Sequence, residues 1–217
     1  MDTKYLYDYC ERIGQSGLWA EPFNALTNVA FIIAGVLSWR FCKNYPLKQY
    51  FDLHLLYLLM ILIGFGSAIW HISPNHTTLM LDVVPITAFI NIYMFSLLRR
   101  GFKWNYGKIL ITFVILHKLN YIANQEFPAD YLNGSILYAP TWLMLIALCT
   151  IAWFKKLQFA KTLSKISLLW SISLFFRTID HYVCQEITIG THFIWHLLNA
   201  ITLYYLLKLL NCLLYKS

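Results

Sequence analysis

Residues 51–71 read FDLHLLYLLMILIGFGSAIWH, and this stretch decides the fold. Between Asp52 and His71 it holds one histidine, His54, and no charged residue. A helix crosses the hydrocarbon core of a bilayer with about 20 mostly apolar residues, each rising about 1.5 Å. The stretch has that length and character, so it reads as a membrane span. Working outward, similar stretches recur at about 22–42, 77–98, 107–124, 132–154, 162–182 and 190–213. Seven spans leave only short connections in a chain of 217 residues. Composition agrees: 59% of the residues are hydrophobic and 12% charged, too little polar surface to cover a soluble globule. That excludes an ordinary soluble enzyme, a disordered chain and a nucleic-acid-binding domain, despite a formal charge of +7. Residues 1–21 form a mixed polar segment without the basic and apolar regions of a signal peptide. No linker, repeat or second compositional zone interrupts residues 1–217, so the chain reads as one all-α integral membrane domain, a seven-transmembrane helix bundle.

The positive charge has a topological use. Arg40, Lys43 and Lys48 follow span 1, while Arg99, Arg100, Lys103 and Lys108 follow span 3. Lys155, Lys156, Lys161 and Lys165 follow span 5, and Lys208 and Lys216 end the chain. The connections after spans 2, 4 and 6 hold no Lys or Arg. By the positive-inside rule the C-terminus is cytoplasmic and the N-terminus lies outside.

Acidic residues and histidines sort the other way. All ten acidic residues except Asp52, and six of seven histidines, fall at or near the outer ends of spans. Ionisable groups within spans are costly and usually face the bundle interior, where they mark function. Three segments carry chemistry: Gly66-Ser67-Ala68-Ile69-Trp70-His71, Leu81-Asp82-Val83-Val84-Pro85 and Thr191-His192-Phe193-Ile194-Trp195-His196. Ser67 and His71 are four apart and share a helix face, as do His192 and His196. The second spacing offers two imidazoles to one metal ion. With spans 2 and 7 as neighbours, His71 joins them, leaving zinc a fourth position for water. The bland alternatives are imidazoles packed in a core and a Ser67 that eases helix packing or bonds back to its own helix. His76 reads as a loop residue, His117 and Lys118 as snorkelling side chains. His181 beside Asp180 reads as either a supporting group or an interfacial pair. Cys42, Cys149 and Cys212 read as apolar filler.

Taken in order, these motifs resemble the alkaline ceramidase family. That family is part of a wider group of seven-span metal hydrolases with the adiponectin receptors and Per1-like proteins. The resemblance rests on Asp8-Tyr9-Cys10-Glu11, Glu21-Pro22-Phe23-Asn24, Gly66-Ser67 with His71, and Asp82 with Pro85. It continues through Ile179, Asp180 and Cys184 to His192, Trp195 and His196, and spans essentially the whole chain.

The resemblance implies a zinc ion held by His71, His192 and His196. It also implies hydrolysis of the amide of a ceramide-like membrane lipid to a sphingoid base and a fatty acid. Zinc lowers the pKa of a water it holds to about 7 and polarises a carbonyl. Asp82 is then the general base that later protonates the leaving amine, or a group orienting a ligand histidine. Ser67 hydrogen-bonds the water or the developing oxyanion. The resemblance further implies a calcium site from Asp8, Glu11 and Glu21 with backbone carbonyls near Tyr9 and Gly14, and a Cys10–Cys184 disulfide. The alternative to calcium is an acidic cap on span 1, with Glu21 at a helix N-terminus. The chain departs from the pattern in an N-terminal loop one residue shorter, in Val83 after the aspartate, and in Arg177, placed to salt-bridge Asp180. The functional alternatives are a related lipid esterase or phospholipase, and a metal-stabilised lipid receptor with little turnover.

Overall fold

The computed structural model describes residues 9–15 and 17–214. They form eight α-helices, with no strand among the described residues. Helices α1 (Pro22–Thr27) and α2 (Val29–Cys42) run nearly end to end, and the buried Asn28 side chain bonds the Asn24 carbonyl at the join. Then come α3 (Phe51–Ile72), α4 (His76–Ser96), α5 (Tyr106–Glu126), α6 (Ala139–Phe154), α7 (Ala160–Ile179) and α8 (His192–Leu214). Their bounds follow the apolar stretches to within a few residues. The largest shift is at residue 132, where a left-handed turn and the 3₁₀ segment Ser135–Tyr138 precede α6. Asn75 starts α4 through a reciprocal capping box with Thr78, which puts His76 on the helix rather than in a loop.

Five segments among the described residues are long and apolar enough to cross a membrane: Pro22–Cys42, Phe51–Ile72, His76–Gly101, Ser135–Phe154 and His192–Leu214. Helices α5 and α7 have comparable length but are more polar, carrying Lys108, Lys118 and Glu126, and Lys161, Lys165 and Arg177 respectively. The exposed surface of the helices is apolar, as at Ile33, Phe65, Ile111, Val114, Leu143, Leu168 and Leu197. Much of the buried interior is polar, including Asn24, Ser67, His71, Ser173, Asp180, His192 and His196. Water as solvent would favour the opposite arrangement, so the solvent of these helices is lipid. Where the outside is hydrocarbon, close packing and polar bonds hold helices together. Trp142 and Trp153 on α6 each donate an indole N–H to a serine of α7, Ser171 and Ser164, at 2.8 Å.

Helix α3 packs on α2 and α4, α2 and α7 pack on α8, and α5 and α6 continue from α7. Two glycines allow the approaches that build the site. At Gly66 a Cβ would overlap the Leu81 carbonyl, so α3 and α4 meet backbone to backbone where Ser67 faces Asp82. At Gly190 (φ +63°) a side chain would strike the Asp180 carboxylate and Cys10. That bare backbone lets Asp180 accept the N–H groups of Thr191 (2.6 Å) and His192 (2.9 Å), the first donors of α8. The other Asp180 oxygen accepts the Cys10 N–H at 3.1 Å, and Cys10 is disulfide-bonded to Cys184. The 10–184 bridge therefore forms as the family resemblance implied, pinning the N-terminal segment to the entrance of α8.

Candidate metal centre

His71 ends α3, and His192 and His196 lie one turn apart at the start of α8. All three are buried, and their candidate ligand atoms lie within 4.8 Å of one another. It is the one such group found among the described residues. The rings stand 4.7 to 5.3 Å apart, centroid to centroid.

Hydrogen bonding sets the tautomers of two of the rings. His71 Nδ1 lies 2.6 Å from Glu21 Oε2, and a carboxylate can only accept, so the proton sits on Nδ1. His196 Nδ1 lies 3.0 Å from Thr27 Oγ1. That hydroxyl already donates to the Phe23 carbonyl at 2.7 Å, so it accepts from the imidazole. On both rings Nε2 is left with a free lone pair, the state a metal ligand needs. His192 Nδ1 is buried and without a hydrogen-bond partner. Three buried imidazoles packed this tightly suit a borderline-soft divalent ion such as zinc.

Glu21 is the hub of the supporting shell. Besides His71 it takes the Asn24 amide (3.1 Å) and pairs with Arg12, whose guanidinium also donates to the His71 carbonyl at 2.9 Å. Burial pushes the Glu21 carboxyl up, but the hydrogen bonds from His71 and Arg12 and the charge of the Arg12 guanidinium outweigh it and hold it below the usual 4.5. Glu11 does something else. Its two oxygens accept the N–H groups of Phe23 (2.6 Å) and Asn24 (2.9 Å), capping α1, and burial raises its carboxyl above the ordinary value. Of the three carboxylates assigned to calcium, the two described ones each have a partner, Glu21 the Arg12 guanidinium and Glu11 a helix end. The Tyr9 carbonyl accepts from the Arg12 N–H, and Asp8 lies outside the described residues.

Asp82 on α4 lines the same cavity as the three histidines, with Ser67 within hydrogen-bonding reach. Asp82 Oδ1 is buried and unpartnered. The cavity, about 1040 Å³, runs from this polar end between α4 and the α5–α6 side, past Ile86, Phe89, Ile90, Leu116 and Leu145. It holds one long acyl chain comfortably. His117, expected to snorkel, is exposed on α5 and also borders this cavity beside Asn120 and Asn124; His76 and His181 are exposed too. Arg177 does not salt-bridge Asp180, whose oxygens are filled by backbone N–H groups.

Arg12, Thr27 and Tyr138 are side chains of the site that the motifs did not single out; Tyr9 was named there for its backbone carbonyl and Arg177 as a partner for Asp180. The Tyr9 ring lies 3.9 Å from the His192 ring, and Tyr138 stacks near Trp195 at 5.3 Å. Thr27 alone carried a local signal, since Glu21, Asn24 and Thr27 recur every third residue on one face of α1.

The fold and site together define a polytopic helical membrane protein with a buried three-histidine centre opening into a lipid-sized cavity. The family model for ceramidases matches residues 5–217, and the chain belongs to that family. No curated protein matched. Membership implies an amide hydrolase acting on ceramide, a membrane lipid.

Proposed function

We propose that the chain is a zinc-dependent amide hydrolase that cleaves ceramide-like lipids within the membrane, with His71, His192 and His196 as the metal ligands. One observation carries the reading: three buried imidazoles with ligand atoms within 4.8 Å of one another, two with Nδ1 tied to an acceptor and Nε2 free. A zinc ion there supplies an acidified water and a Lewis acid for the amide carbonyl. Asp82 accepts a proton from the attacking water on its free Oδ1. As the C–N bond breaks, it delivers that proton to the departing amine nitrogen, leaving a sphingoid base and a carboxylic acid. Ser67 donates its one hydroxyl proton to the Asp82 carboxylate while that group is charged, and turns it toward the developing oxyanion once Asp82 has taken up the proton of the water. The cavity between α4 and α5–α6 takes the acyl chain, and its apolar lining keeps bulk water from the reacting amide.

All seven long helical segments cross the bilayer in this reading, with the N-terminus outside and the C-terminus cytoplasmic. The one-sided Lys and Arg distribution supports it. So does the 10–184 disulfide, which requires an oxidising compartment on the side of the histidines. Helix α7 qualifies because Lys161 and Lys165 lie in its first two turns, where they snorkel, and Arg177 faces the cavity; on α5, Lys108 lies in the first turn.

Metal analysis of the detergent-purified chain, with ceramide hydrolysis before and after chelation, tests the reading. About one zinc per chain with chelator-sensitive release of fatty acid is expected. His196→Ala should lose both zinc and turnover; full turnover in that variant overturns the mechanism.

A further inference from the structure

At the end of the bundle opposite the histidines, α4 passes into a π-helical turn, Leu97–Gly101. Such turns are rare and are frequent at functional sites. The turn packs on the end of α8: a Cβ at Gly101 would stand 3.2 Å from Leu213 Cδ1. Between them lies a pocket of about 350 Å³, lined by Arg99, Arg100, Lys103, Leu213 and Leu214. Three cations and two leucines share one hollow.

Both arginines are tethered. Arg99 Nη1 donates to the Trp104 carbonyl at 2.7 Å, and its guanidinium lies 4.8 Å from the Tyr106 ring centre. Arg100 Nη2 donates to Asp52 at 2.6 Å, with the guanidinium 5.3 Å from the Tyr50 ring centre. Arg100 Nη1 is buried without a hydrogen-bond partner, the kind of donor that an entering acceptor satisfies. Arg99 and Lys103 have no carboxylate partner among the described residues, where the ion pairs are Arg12–Glu21, His71–Glu21 and Arg100–Asp52. One carboxylate thus stands against three cations. Membrane topology asks only that cations stand on this side, as the exposed Lys155 and Lys156 do. It does not ask for two guanidiniums held in place around a hollow.

A tethered guanidinium offers paired N–H donors that match phosphate oxygens, and a lysine adds a point charge. The leucines decide the source of the phosphate. A free anion gains nothing from an apolar wall, whereas a lipid places its chains against one. Helix α8 carries further exposed apolar side chains toward the membrane interior, at Leu197, Ile201 and Tyr205. Basic pockets between helices at a membrane surface bind acidic headgroups in this way.

We propose that this pocket binds the phosphate group of a membrane phospholipid in the leaflet opposite the histidines, and that the bound headgroup clamps the end of α4 to the end of α8. These two helices carry Asp82 and the His192–His196 pair toward their other ends. The assignment is independent of the reaction at the histidine centre.

The test uses the full-length chain in detergent, with phosphatidic acid and phosphatidylcholine of one acyl composition as probes and bound lipid counted by native mass spectrometry. The parent should hold one phosphatidic acid about tenfold or more tightly than phosphatidylcholine. Arg99→Gln/Lys103→Gln should lose about tenfold or more of that affinity. Lys155→Gln/Lys156→Gln removes the same charge from the same side and should change it by less than about twofold. Equal loss in the two double variants means diffuse attraction and overturns the site, as does a parent without preference. Arg99→Lys/Lys103→Arg keeps both charges and should retain most of the affinity; a loss as large as in R99Q/K103Q makes the effect structural and overturns the proposal. Inorganic phosphate in large excess, at ionic strength matched with chloride, should not displace the lipid. Displacement makes the soluble anion the occupant and overturns the lipid assignment. Phosphatidic acid should also raise the melting temperature of the parent but not of R99Q/K103Q; no rise in the parent overturns the clamp.

Discussion

Arg12, Glu21 and His71 form a relay in which the first residue acts through the second on the third. A guanidinium holds one carboxylate oxygen and the other holds the imidazole proton. Groups that orient a metal-bound histidine typically contribute 10- to 100-fold in metal affinity. Glu21→Gln should therefore weaken zinc binding by about that factor in competition with a chromogenic chelator, and Arg12→Ala should do so by less. The pH dependence has a definite sign. The folded state holds Glu21 below the usual 4.5, so its contribution is complete above that value and is lost as pH falls through the lowered one. Thermal stability of the parent should thus decline on acidification below about pH 4.5 more steeply than that of E21Q.

At the scale of elements, the site exists because α3, α4 and α8 approach one another closely at one end. Gly66 permits the first approach by having no side chain to meet the Leu81 carbonyl. Gly66→Ala should force α3 from α4, costing about 1–3 kcal/mol and separating Ser67 from Asp82. A lower melting temperature with a disproportionate loss of kcat is the expected result. The 10–184 disulfide fixes the N-terminal segment to the start of α8. Cys184→Ser should lower stability by about 2–4 kcal/mol, with earlier loss of zinc on heating, measured by thermal unfolding with metal release.

For the whole molecule, the proposed seven spans make a topological prediction. A cysteine replacing Lys43 should react with an impermeant maleimide only from the cytoplasmic side, and one replacing Glu186 only from the opposite side. Labelling of both from one face would refute the proposed crossing. By composition five segments suffice for a crossing. Helix α7 needs the positions of its charges in three dimensions to qualify, because lysines in the first turns of a helix and an arginine facing a cavity cost far less than either facing lipid at mid-span.

The sequence by itself determined the helices and the chemistry that each carries. Apolar length set the helix bounds, since a backbone in hydrocarbon has to satisfy its own hydrogen bonds. Spacing of four put His192 and His196 on one face, because that repeat belongs to the helix and to nothing beyond it. Tertiary structure alone decided which side chains complete the centre. Arg12 meets the carbonyl of His71 across 59 residues, and Tyr9 meets His192 across most of the chain. It also gave the two described carboxylates predicted to share calcium separate protein partners, Glu11 a helix end and Glu21 the His71 ring. Arg177 was expected to pair with Asp180 on the strength of proximity in sequence. Packing gave Asp180 to backbone N–H groups and turned Arg177 toward two aromatic rings. Helix periodicity says which residues share a face, but only the packing of helices says what that face meets.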